Sequence, residues 1–468
     1  MGTIEIPYIT LDGEPKSKKY DQAVENLILE DLFAKTVDLS SLISSSSLRK
    51  LSIYYAAFQE LDFSPLAKCT SLRTLEIAQN VHIEELNLSP LAYSSSLQSL
   101  KMGSDPKPTI GRVNRELRKL VLPASSSLQT LSIADTPLEE LDLTPLVSCS
   151  SLQKLTIESN RRLQKLDLSP LTSCSSLQTL EIAALPLREL DLTPLASCSS
   201  LQTLSITDTP LEELDLTPLV SCSSLQTLEI QGNHLLRELG LSPLASCTSL
   251  QSVKIRGNWG LEELDLSPLA NCSSLQELSI RDHWPLEELL LPPSSSLQTL
   301  TIESNRRLQK LDLSPLTSCS SLQTLEIAAL PLRELDLTPL ASCSSLQTLE
   351  IRRNRRLQEL DLTPLGSCSS LQTLSIWSNT KLEQLNFHIL GNLGLRKLSI
   401  DLKGMFQEGA LYRMTHGDLL EEISIRVTQQ GKKLDLSFLD NCSSLQTLTI
   451  YQNSQLQELD LTPLGSCS

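Results

Sequence analysis

Aromatic residues are scarce in this chain: Phe, Trp and Tyr together make up 3% of its 468 residues. A large core without them has to be assembled from aliphatic side chains. Basic residues are outnumbered, 39 Lys and Arg against 55 Asp and Glu, for a formal net charge of −16. That balance favours solubility and opposes non-specific attraction to nucleic acid or anionic membranes. No run of about 18 apolar residues occurs, so no membrane span is expected. The opening MGTIEIPYITLDGEPKSKKY has neither the basic start nor the apolar stretch of a secretory signal. The five histidines, His82, His234, His283, His388 and His416, stand in no zinc, Ser-His-Asp or Cys-His spacing. No Gly-rich phosphate loop is found. Enzymatic activity, a bound metal and a cofactor are therefore not expected.

What the chain has in abundance is one repeated pattern. Residues 151–175 read SLQKLTIESNRRLQKLDLSPLTSCS, and residues 176–199 read SLQTLEIAALPLRELDLTPLASCS. The opening Leu recurs from Leu48, Leu72 and Leu97 to Leu445, nearly always 24 or 25 residues apart, for about 17 copies. In each copy a strand comes first: Leu180 and Ile182 alternate with Thr179 and Glu181, so one face is buried and one is wet. A turn follows. In the longer copies its ninth residue is Asn (Asn160, Asn233, Asn305), which can turn inward onto free backbone groups. In the shorter copies Thr136, Leu185, Thr209 or Leu330 stands there, so those turns are closed differently. The chain then returns through Leu187, Leu190, Leu192 and Leu195. Thr193-Pro194 reads as an N-cap with Pro at the first helical position, so Pro194 to Cys198 is predicted to be a single α or 3-10 turn. Such units cannot bury their leucines alone and must stack.

All 12 cysteines fall at one repeat position, where Ser45, Ser94, Ser125 and Ser294 also occur. A disulfide framework or metal site would not tolerate scattered loss of single members, so these are read as buried thiols. Unpaired thiols in such number fit a reducing, cytoplasmic setting. A column of Asp, from Asp62 through Asp191 to Asp460, supplies too few oxygens per turn for Ca²⁺ and is read as a solvated polar position.

Residues 1–36 precede the clear repeats and are expected to form an N-terminal cap. Within them Ala23, Leu27, Ile28, Leu32 and Phe33 lie at near-helical spacing, which predicts a helix over 20–34, with a strand over 3–10 in front of it. Residues 37–468 carry the repeats. Residues 103–119 read as a loop insertion and 403–415 as a longer helix on the back. The sequence stops in mid-repeat, so a fragment with an open end is expected, monomeric unless that end associates. Residues 150–204 and 295–349 differ only at Lys154 versus Thr299. These duplicated surfaces are expected to be chemically equal, with distinctive function lying outside them.

The strand segment, Leu-x-x-Leu-x-Ile followed by Asn, resembles the signature of leucine-rich repeat proteins. Cys three residues before the opening Leu, as in Cys247-Thr248-Ser249-Leu250, is similar to the BspA-like (Treponema-type) subclass, with Pro-Leu standing where that subclass usually has Ala-Phe. The resemblance implies an α/β leucine-rich-repeat solenoid, horseshoe or arc, with a parallel β-sheet on the concave face and short 3-10 or α turns and extended segments on the convex side. It also implies non-catalytic binding of a protein partner on the concave face. The alternatives are the recognition arm of a larger signalling protein or enzyme, and a cell-surface adhesin.

Aromatic and Arg side chains are the usual material of binding hot spots. His234, Trp259 and Trp284 are 25 residues apart and form one column, which Arg306 continues; Arg256, Arg281 and His283 flank it. This cluster is either a binding patch or edge packing with Arg stacked on the rings. Arg352, Arg353 and Trp377 form a second candidate patch. The Arg pairs do not amount to a nucleic-acid surface, given the net charge and the lack of a base-stacking module.

Overall fold

The computed structural model describes the chain except residues 1–2, 31, 33, 55, 57, 59, 79–82, 104–115, 383, 386–388, 390–392, 403–416, 428–432, 435, 452–457 and 467–468. It divides into two compact units, Met1–Leu236 and Arg237–Ser468. The chain forms a leucine-rich-repeat solenoid. Each unit is a ladder of short parallel strands, backed among the described residues by 3-10 turns without any α-helix.

In the first unit, nine strands pair in parallel in chain order: Asn26–Glu30, Lys50–Tyr54, Thr74–Ala78, Ser99–Met102, Thr130–Ala134, Lys154–Glu158, Thr179–Ala183, Thr203–Thr207 and Thr227–Gln231. Register is kept residue for residue, so Leu155, Leu180 and Leu204 lie opposite one another, as do Ile157, Ile182 and Ile206. All six are fully buried. The period of two puts them on one face, and each contributes roughly 2 kcal/mol by leaving water.

The second unit repeats the arrangement with Ser252–Arg256, Glu277–Arg281, Thr299–Glu303, Thr324–Ala328, Thr348–Arg352, Thr373–Ile376, Lys397–Leu402, Glu422–Val427 and Thr447–Tyr451.

The helix expected over 20–34 is not there. Pro15–Asp21 pairs antiparallel with Thr3–Thr10, which in turn pairs with Ala34–Val37. Asn26–Glu30 is already a strand of the main ladder. Its burial alternates strictly, with Leu27 and Leu29 inside and Ile28 left 49% exposed. An apolar Ile28 on the wet face gives a strand with a period of two the look of helical spacing. The longer helix expected over 403–415 falls outside the described residues, as does most of the insertion at 103–119.

Three devices hold each repeat. After each well-formed strand one residue takes a left-handed backbone, as Ser159 (φ 56), Asp208 (φ 50) and Gly257 (φ 59) do. Its N–H donates to the neighbouring strand's last carbonyl, as Ser159 does to Ala183 at 2.9 Å. The buried Asn comes next. Asn160 Nδ2 donates to the Ile133 carbonyl at 3.0 Å, and its Oδ1 accepts from the Thr136 amide at 3.0 Å. Asn354 does the same for Ile327 and Leu330, at 2.9 Å each. The shorter copies with Thr136, Thr209 and Leu330 are thus closed by the Asn of the repeat that follows them, whereas the copy with Leu185 is followed by Thr209 and has no such Asn.

Thirdly, the Asp column has a local task that its exposure concealed. Asp191 Oδ1 accepts from the Thr193 amide at 2.8 Å, and Asp142, Asp215 and Asp336 do likewise for Thr144, Thr217 and Thr338. The N-cap position of the 3-10 turn Thr193–Ser197 is Leu192, and the side chain that holds the first turn amide is that of Asp191, one residue earlier; Thr193 lies inside the turn, with Pro194 second. Hydrogen bonds from the Thr hydroxyl, then the amide, hold the Asp191 carboxyl below its ordinary range.

The cysteines behave as read. All eleven that are described are buried and free. Cys198 donates Sγ–H towards the Leu171 carbonyl at 3.5 Å, and burial pushes its thiol up to about 12.

Candidate recognition surface

The first, third and fifth residues of the strands point away from the core, although small ones such as Thr156, Ser279 and Ala328 are covered by their neighbours, and the turns carry further side chains to the sheet's edge. In the second unit Trp259 and Trp284 each follow a buried ninth residue, Asn258 and His283, just after the left-handed Gly257 and Asp282. The two indoles stack with centroids 4.9 Å apart and planes 16° from parallel. They remain 43% and 44% exposed. The guanidinium of Arg306 lies 4.4 Å from the Trp284 ring centroid. Trp284 is therefore flanked by one group from the repeat before it and one from the repeat after it. What it offers solvent is the ring edge, the positively polarised part of an indole. Arg353 lies over Trp377 at 5.3 Å in the same way.

The arginines on the strands are differently placed. Arg281 donates to Glu303 at 2.9 Å and to Glu326 at 3.2 Å. Arg352 bonds Glu326 and, at 2.9 Å, Glu350. Burial would lower the Arg352 guanidinium, but Glu326, Glu350 and Glu303 outweigh it and hold it above its ordinary value. Both forks, expected to reach a partner, are engaged by carboxylates of their own sheet. Arg256, paired in register with Arg281, has no carboxylate partner among the described residues, and the same holds for Arg306 and Arg353.

His283 does not belong to this surface. It occupies the ninth position of its repeat and is fully buried, with Nδ1 3.0 Å from the Asn258 carbonyl and Nε2 3.0 Å from the Ile255 carbonyl. Its amide donates to Asn305 Oδ1 at 3.0 Å, so the imidazole replaces an Asn in the series. Desolvation lowers its pKa. Counting eight residues on from Leu275 would have found this. His234 is exposed and belongs to the first unit, where it follows the buried Asn233.

In the first unit the strand face is more acidic. From Thr130 to Gln231 its five strands carry Glu158, Glu181 and Glu229 outward against Lys154 alone. Lys154 pairs with Glu181 at 2.7 Å, and Thr156 donates to the same carboxylate at 2.9 Å. Glu158 is pushed above the ordinary carboxylate range, first by burial, then by Asp135 and Glu181, against the pull of Lys154. From Ser252 to Arg352 the second unit carries Glu277, Glu303, Glu326 and Glu350 against Lys254, Arg256, Arg281 and Arg352, an even balance.

A family model for the BspA-type leucine-rich repeat region, with 6 copies, matches residues 124–214, 186–286 and 293–401. The chain belongs to the BspA-type leucine-rich repeat family. The match takes in the tryptophan stack and both duplicated blocks, so these side chains sit on regular BspA-type repeats and not on insertions. No curated protein matches the sequence. Among solved structures, a leucine-rich-repeat protein of Leptospira interrogans is similar at 16% identity over 96% of this chain and 96% of that one, with a TM-score of 0.52. The Toll–Spätzle complex of Drosophila is similar at 14% identity over 92% of this chain and 52% of that one, at 0.54. An internalin of Listeria monocytogenes is 20% identical over 73% of this chain and 85% of that one, at 0.45. At these identities the first two share the fold alone. Repeat arrays of this fold serve as recognition modules.

Proposed function

We infer that this BspA-type chain is a non-catalytic recognition scaffold, and that a protein partner docks on the second unit where the strand face meets the turn edge. The stack of Trp259, Trp284 and Arg306 carries the reading. Two exposed indoles on an aromatic-poor surface offer rigid contact area at little entropic cost. The flanks of Trp284 are taken by Trp259 and Arg306, so the stack does not invite a sugar ring or a base to lie on it. Ring edge and guanidinium N–H groups favour oxygen instead, so the partner segment is an acidic loop. Arg353 with Trp377 is a second anchor of the same composition. A reducing, cytoplasmic setting suits the free, buried cysteines.

Peptides selected from a random library against the full chain are expected to be rich in Asp and Glu. They should lose about 2 kcal/mol of affinity, the size of a hot-spot loss, on joint W259A and W284A substitution. If that variant unfolds like the parent and holds the peptides as tightly, the stack is only edge packing and the reading fails.

A further inference from the structure

The internal duplication places the same carboxylates in two settings. Glu303 and Glu326 in the second unit correspond to Glu158 and Glu181 in the first, on strands of identical sequence but for Thr299 and Lys154. In the second unit the pair holds guanidinium groups: Arg281 reaches both carboxylates, at 2.9 and 3.2 Å, and Arg352 bonds Glu326. Those arginines come from the flanking strands, in register beside Glu303 and Ala328. In the first unit the residues in the same register positions, beside Glu158 and Ala183, are Ala134 and Thr207. Neither carries a charge. The strand register of the two carboxylates is kept there and the guanidinium is not supplied.

We propose that the face formed by Glu158, Glu181 and Asp135 of the first unit binds an arginine-bearing segment of a protein partner, whose guanidinium takes the place that Arg281 and Arg352 hold in the second unit. A planar fork spans two carboxylates on adjacent strands, which an ammonium cannot do as well. The surrounding side chains are small (Ala183, Thr179, Thr203, Ser205), which leaves room for a peptide over the sheet. Lys154 is the competing cation. It holds one oxygen of Glu181 and leaves Glu158, which no Lys or Arg bonds among the described residues. Arg161 draws on Asp135 only through its charge. This surface lies on the other unit from the tryptophan stack, and the proposal stands or falls apart from that reading.

The test uses the full chain and a fluorescent peptide of alternating Arg and Gly, with binding followed by anisotropy. E158Q is expected to weaken binding about fivefold, the usual worth of a partly exposed charge pair. E303Q makes the same change in net charge and should shift binding by no more than about twofold, because Glu303 is already occupied. K154T, which makes the two blocks identical, should tighten binding, and T207R should weaken it by supplying the guanidinium from within. The matching Lys-Gly peptide should bind more weakly than Arg-Gly. Equal losses from E158Q and E303Q would reduce the effect to overall charge and overturn the proposal. So would equal binding of the Lys and Arg peptides, or no binding to the parent chain.

Discussion

Residues 150–204 and 295–349 carry the same sequence apart from Lys154 and Thr299, and their surfaces are not the same. The expectation that the duplicated surfaces are chemically equal fails, although the interiors of the two blocks are alike. Inside, Asn160 and Asn305 make the same bond, Nδ2 to the preceding Ile carbonyl, at 3.0 and 3.1 Å. Outside, Glu303 bonds Arg281, whereas Glu158 faces Asp135 and Glu181. In a stacked array the outward chemistry of a repeat is set by its neighbours as much as by its own residues. A duplicated block therefore acquires new chemistry simply by being moved.

The largest effect should be one in which the copies agree. N160A and N305A each strand a buried carbonyl and a buried amide. Each should cost about 2–4 kcal/mol, the usual penalty for buried groups left without partners, read from the urea midpoint. A large disparity between them would show that neighbours govern the interior as well.

A smaller effect separates the residues that precede the two blocks. His283 stands before the second block where Thr136 stands before the first. Its folded pKa is lowered from 6.5, so folding favours the neutral ring. The stability it contributes is complete above that value and is lost as pH falls below it, at up to about 1.4 kcal/mol per pH unit. H283N should fold through the same bonds and remove that slope just below pH 6.5, as followed by thermal unfolding at several pH values. A slope that survives the substitution assigns the pH dependence to other groups.

The smallest effect should differ in sign. E303Q gives up an ion pair that is mostly sheltered and should destabilise by about 1 kcal/mol. E158Q relieves repulsion and should stabilise at pH 7 by about a few tenths of a kcal/mol. The Glu158 carboxyl is raised, so its unfavourable contribution is present at neutral pH and fades as pH falls through its folded value. The gain from E158Q should shrink on acidification. Effects of one sign in both copies would remove the distinction drawn between them.

Much of this was legible from spacing. The period of 24 or 25 residues located the strands from Lys50 onward, the inward Asn and the buried thiols, because one residue type recurring at one register position reports one environment. The spacing misleads where a single residue breaks the pattern. Ile28 faces outward in a strand, which hid the first ladder strand, and His283 replaces Asn, which made a core residue look like part of a patch. Arg281 and Arg352 are recognisable as surface residues, but their cross-strand partners Glu303 and Glu326 lie at least 22 and 26 residues away and appear only when successive copies are laid side by side. The bond from the Thr193 amide to Asp191 is hidden in the sequence because an exposed carboxylate in a repeating column looks the same whether or not it holds a turn.

The buried Asn also acts as a clasp between consecutive repeats, and the clasps are not evenly spaced. Asn160 fastens to Ile133 and Asn233 to Ile206, but between them Leu185 and Thr209 follow one another without an amide side chain. In the later block Leu330 stands alone between Asn305 and Asn354, so only one fastening is skipped there. The zipper thus lacks two adjacent teeth in the earlier block. Transient local opening should begin around residues 179–209, and amide protons of the strand at 179–183 should exchange with solvent sooner than those of the identical strand at 324–328.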